Sequence, residues 1–113
     1  MSVKLLSLSK NEDFKSLLKG KKISNKYLTI FFKNLSDKSN KNLNISFVAQ
    51  KKLGNAVKRN KIKRRLRNIM NQIAKFSEIN LNYCYLVIAK KTIINAKFID
   101  IKDILIKDYK KIK

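Results

Sequence analysis

Apolar residues recur along this chain in two rhythms, one suited to helices and one to strands. The longest helical rhythm runs from about Asn55 to Phe76. There Ile62, Leu66, Ile69, Met70, Ile73 and Phe76 fall on a single stripe. A second helix is expected from about Asp100 to Ile112, with Ile101, Ile104, Leu105, Tyr109 and Ile112 on its stripe. Asp100 and Asp103 read as early residues of that helix, near its positive dipole end. A shorter helix should follow Ser9-Lys10-Asn11-Glu12, which fits a capping box, with Asn11 as an alternative cap. Phe14, Leu17 and Leu18 share one face of it, and Gly20 is placed to end it in a left-handed conformation.

The strand rhythm occurs three times. In residues 26–33, Tyr27, Thr29 and Phe31 point one way, and Leu28, Ile30 and Phe32 the other. Residues 43–50 place Leu43, Ile45, Phe47 and Ala49 on one face. A polar stretch, residues 34–42, separates these two strands, and they are expected to pair as an antiparallel hairpin. Residues 83–89 are apolar on both faces, which predicts a central strand. Lys51 to Asn55 reads as a turn. The predicted order is α-β-β-α-β-α, an α+β sandwich with helices laid on a small sheet. The length suits one domain, residues 1–113.

Charge changes the picture. The formal net charge is +21, and the apolar fraction of 44% is ordinary for a globular chain. Such a surface favours a polyanion, with nucleic acid ahead of an acidic membrane. A genome biased toward Lys, Asn and Ile would account for part of the lysine, but not for the arginines. All of them, Arg59, Arg64, Arg65 and Arg67, fall in one short segment. No acidic residue occurs from Lys38 to Ser77. The predicted helix from Asn55 therefore carries like charges on its outer face, which weakens it unless a counter-charge arrives. Arginine presents a planar fork of donors that grips a phosphate in bidentate fashion, whereas lysine is a point charge. A solvated helix face is the ordinary alternative. Asn60 is either an RNA-facing or buried amide, or an indifferent exposed one.

Other chemistry is thinly supplied. The chain has no His and one cysteine, Cys84, so it lacks the usual general base and a multi-cysteine metal site. No apolar run is long enough to span a bilayer, and the N-terminus lacks the pattern of a signal peptide. The expectation is a cytoplasmic protein that needs no membrane and no protein partner.

The segment KKLGNAVKRNKIKR, Lys51 to Arg64, resembles the signature of the bacterial ribonuclease P protein subunit, which reads roughly KK-[IVL]-G-x-A-V-x-R-N-R-x-K-R. Asn11-Glu12-Asp13-Phe14 is similar to that family's N-terminal segment, and Ile88-Ala89-Lys90-Lys91 to the end of its third strand. The likeness covers nearly the whole chain. It departs at Lys61, where the family has a second arginine, at Gln50, where a serine is common, and at Thr92, where a proline is common.

The resemblance implies a left-handed βαβ crossover around the basic helix, against the general right-handed rule. It implies the protein subunit of a ribonucleoprotein endoribonuclease that removes the 5′ leader of precursor tRNA, with the active site and Mg²⁺ on the catalytic RNA. Arg59, Asn60, Lys61, Lys63, Arg64 and Arg67 would then dock on that RNA. Phe14, Lys51, Lys52, Lys90 and Lys91 would line or border a cleft for the leader, with Phe14 either stacking on bases or packing in the core. Tyr27 and Tyr85 are further candidates for the open sheet face. No catalytic and no metal-binding residue is expected on the chain itself. The alternative is a small basic ribosomal or other structured-RNA-binding protein. A DNA-binding protein, a membrane-surface protein and a protein-only nuclease fit the residues less well.

Overall fold

A computed structural model describes residues 5–6, 11–34, 43–76 and 83–112, with side chains from Lys15 onward except that of Phe76. Five strands form one mixed sheet. They are β1 (Leu5–Leu6), β2 (Lys21–Ser24), β3 (Leu28–Asn34), β4 (Leu43–Val48) and β5 (Tyr83–Ala89), in the order β1-β4-β5-β3-β2. Helix α1 (Asn11–Leu18) precedes β2, α2 (Ala56–Phe76) joins β4 to β5, and α3 (Phe98–Lys111) follows β5. Short 3-10 turns at Lys51–Leu53 and Lys91–Asn95 follow β4 and β5.

The apolar strand Tyr83–Ala89 is central, as its two-sided pattern requires. It pairs parallel with β4 and antiparallel with β3. The expected hairpin of residues 26–33 with 43–50 does not form, because β5 is inserted between those two strands. β3 instead makes its hairpin with β2, a strand of two lysines, one isoleucine and one serine whose sparse apolar pattern gives little strand signal. β4 and β5 are parallel neighbours joined through α2, a βαβ unit.

One face of the sheet carries the main core. Leu28 and Ile30 of β3, Leu43 and Ile45 of β4, and Tyr85 and Val87 of β5 are buried there. Against them lie Leu66, Ile69, Met70 and Ile73 of α2 and Ile101, Leu105 and Tyr109 of α3. Burying each such aliphatic side chain contributes about 1.5–3 kcal/mol, so the two stripes hold both helices on this face. Tyr85 meets Tyr109 edge to face at 5.3 Å, and burial pushes both phenols well above their usual pKa.

The opposite face is only partly covered. Leu17 of α1 packs on Cys84 and Leu86, with Phe31, Val48 and Ile88 half-buried around them. Leu18 is exposed, not on the inner face with Leu17. Gly20 does not end α1 through a positive φ. Its role is close approach: a Cβ there would lie 3.3 Å from the Phe32 carbonyl oxygen, and its N–H donates to Leu17 O at 3.0 Å.

Candidate RNA interface

The segment Leu53-Gly54-Asn55 sets the start of α2. Leu53 is buried and anchors the 3-10 turn. Gly54 has φ 138°, a backbone conformation that calls for glycine, and a Cβ there would also crowd the Lys58 side chain, 2.9 Å from its Cδ. Asn55 then caps the helix, its Oδ1 accepting from Lys58 N–H at 2.9 Å. The first turn, Ala56 to Arg59, contains no acid and two cations, opposed to the positive end of the helix dipole. The fold thus aims like charge at a helix end that favours an anion.

From there the basic residues sort by exposure. Asn60, Arg64 and Arg67 share the outward face at i, i+4, i+7 spacing and are all exposed. Lys61 is exposed on one flank. Arg59 and Lys63 form the other flank, half-buried. Arg59 Nε is buried and finds no hydrogen-bond partner among the described residues, leaving a donor unmatched within the fold. Arg65 behaves differently. Its guanidinium donates to Ala96 O at 2.7 Å and ties α2 to the segment before α3. The arginines therefore divide into a structural one and three that face outward or flank the outward face.

The second surface is the sheet face bearing α1. Cross-strand register places Lys22 beside Phe31 and Ser24 beside Thr29. It continues from Thr29 to Ile88 and from Ile88 to Val48. Phe31, Ile88 and Val48 make a half-buried apolar strip there, and Lys22 Nζ lies 5.9 Å from the Phe31 ring centroid. Lys33 Nζ reaches Ser16 Oγ of α1 at 2.5 Å.

The parallel pairing of β4 and β5 brings their C-terminal ends to one edge. Lys51 and Lys52 follow one strand and Lys90 and Lys91 the other, so two lysine pairs distant in sequence gather at one end of the sheet. Lys51, Lys52 and Lys91 are exposed. Lys90 is held: its Nζ donates to Ser24 Oγ at 2.7 Å and to Asn25 O at 2.6 Å. The adjoining Thr92 hydroxyl donates to Lys26 O. The Phe14 side chain lies outside the described residues. Tyr27 and Tyr85, expected on the open face, are in the main core instead. Tyr27 precedes β3, and so escapes its alternation. Phe31, Val48 and Ile88 are the side chains that sequence reasoning did not single out. Alternation within residues 26–33 already separated Phe31 from the core set.

Among the described residues no three His, Cys, Asp or Glu side chains gather to hold a metal ion. No helix of the described residues is long and apolar enough to cross a membrane.

Fold and charge together define a small basic α+β protein with an arginine-bearing helix on one side and a lysine-edged sheet face on the other. The family model described as Ribonuclease P matches residues 3–113. The ribonuclease P protein component of Listeria monocytogenes serotype 4b is 33% identical over 100 residues, covering 88% of this chain and 81% of that relative. That of Mycoplasma capricolum is 33% identical over 108 residues, 94% of each. Among solved structures, the RNase P protein of Staphylococcus aureus superimposes with a TM-score of 0.74 at 31% identity, covering 94% of this chain and 93% of that one. The RNase P protein from Thermotoga maritima shares the fold, with a TM-score of 0.80 at 24% identity over 96% and 98% of the two chains. The chain belongs to the ribonuclease P protein family. These comparisons support the protein component of ribonuclease P and not the ribosomal alternative.

Proposed function

We propose that this chain is the cytoplasmic protein subunit of a ribonucleoprotein that cleaves the 5′ leader from precursor tRNA. In this reading the partner RNA performs the chemistry, and Mg²⁺ bound to that RNA supplies the metal-activated nucleophile. The protein contributes binding. The observation that carries the reading is the pair of surfaces: an acid-free helix with Asn60, Arg64 and Arg67 exposed, and an open sheet face with Phe31 at its surface.

The helix suits a folded RNA. Its exposed forks meet phosphates at fixed spacing, and its unfavourable first turn is relieved by the same phosphates. Arg59, Asn60, Lys61, Lys63, Arg64 and Arg67 form this docking face. The sheet face suits a single strand. Unstacked bases rest on Phe31 and the neighbouring Val48 and Ile88, and the backbone follows Lys51, Lys52 and Lys91. Lys90 positions the β2–β3 turn beside this track through Ser24 and Asn25.

Affinity of the reconstituted complex for precursor tRNA tests the leader track. A leader of several nucleotides should bind on the order of tenfold or more tighter than a leader of one. Equal affinity for both would show that the sheet face does not bind the leader.

A further inference from the structure

The geometry points to a nucleobase pocket between α2 and the two 3-10 turns, taking one unstacked nucleotide of the catalytic RNA. This rests on the reading above that the chain assembles with such an RNA. A cavity of about 450 Å³ opens there, apart from the sheet face. Leu53, Ile62, Leu66, Ile93, Ile94 and Ile101 form its floor. Lys58, Lys61 and Arg65 also line it, with no acid among the lining residues. The volume lies within the range of small-molecule sites, about 300–1,000 Å³, and leaves room for a flat base.

Four observations select the occupant. The floor is aliphatic and open, since Ile94 remains 41% exposed although it belongs to the cavity. The cationic lining excludes a basic segment, and a second copy of a chain at +21 would be repelled. Lys61 belongs both to the basic outer arc of α2 and to this cavity, so an RNA on that arc continues into it. Arg65 is already fixed by Ala96 O at 2.7 Å, which leaves a pre-oriented guanidinium beside the space where a base edge would lie. The base would rest on Ile62, Ile93 and Ile94, with its flanking phosphates on Lys58 and Lys61. An arginine helix alone would read only a phosphate array; the pocket adds recognition of one unpaired position.

The test is chemical probing of the catalytic RNA with dimethyl sulfate, free and in complex with the full chain, alongside binding measured over a salt series. The expected result is one unpaired base protected by the wild-type chain. Ile94→Asp should restore its reactivity, leave the rest of the footprint intact and lower affinity on the order of tenfold. Ile94→Ala, which adds no charge and sits at an exposed position, should act in the same direction. Its salt slope should match wild type, because no phosphate contact is lost. Circular dichroism checks that both variants fold. If wild type assembles and both variants match it in footprint and affinity, the pocket is overturned alone. If wild type fails to bind the catalytic RNA, the underlying functional reading falls with it.

Discussion

Asn25 Nδ2 donates to Asp108 Oδ2 at 2.7 Å, joining the β2–β3 turn to the last helix across 83 positions of chain. The Oδ1 of the same amide accepts from the N–H groups of Tyr27 and Leu28 at 2.8 and 3.0 Å, which shapes the turn. Lys90 adds two bonds to this turn and a main-chain bond from its own N–H to Tyr27 O. Asp108 is buried, with Lys111 Nζ 4.0 Å away. Asn25→Ala removes the close partner of a buried carboxylate and should lower unfolding free energy by about 3 kcal/mol. Asp108→Asn keeps an acceptor without the charge and should lose about 1 kcal/mol. Urea melts of both variants check this. Losses under about 0.5 kcal/mol, as for an ordinary surface site, would show the bond to be unimportant.

The split among the arginines has a distinct signature. Arg59→Ala combined with Arg64→Ala should weaken binding to the catalytic RNA and reduce the salt slope by about 1.4–1.8 units, for two lost phosphate contacts. Arg65→Ala should lose about 1.5–3 kcal/mol of stability, because its charged bond to Ala96 O disappears. Filter binding over a salt series and thermal melts separate the two. A double variant with an unchanged slope would contradict the docking face.

Among the described residues, Phe31 is a half-buried ring on the open sheet face. Phe31→Ala should weaken precursor tRNA binding by about 1–3 kcal/mol while leaving affinity for the catalytic RNA unchanged. Equilibrium binding of precursors with long and short leaders checks it, since the loss should vanish when the leader is short.

The Tyr109 hydroxyl is buried and has no partner among the described residues. Burial raises its pKa well above the ordinary 10.0. The folded state therefore holds the neutral phenol more tightly than the unfolded chain does. This contribution is unchanged below about pH 10, and it is lost as pH rises above that, where the unfolded phenol ionises first. Tyr109→Phe should be neutral or stabilising by up to about 1 kcal/mol near pH 8, because it removes an unsatisfied buried hydroxyl. It should also lose less stability than wild type between pH 9 and pH 11. Parallel urea melts at those pH values read the difference.

How far these features were legible varies with the physics behind them. The apolar stripe of α2 predicted its packing, and the turn read over Lys51 to Asn55 falls just before its first residue, Ala56, whereas the cap made by Asn55 shows only in the structure. The two-sided run of β5 predicted its central place. Pairing was not legible. Alternation in residues 26–33 and 43–50 says which face is apolar, but not which strand lies alongside, and the partner of both is the distant strand Tyr83–Ala89. Lys21–Ser24 escaped because an edge strand buries little. Lys90 reads in sequence as one of a pair of basic residues. Only the folded turn shows its ammonium held by Ser24 and Asn25.

The role of the chain as a ribonuclease P subunit is tested by cleavage of a precursor tRNA by the catalytic RNA at low Mg²⁺ and near-physiological salt, with and without this chain. Strong stimulation by the protein, shrinking when the leader is cut to a nucleotide or two, is the expected result. Absence of stimulation by a folded protein with intact RNA would contradict it.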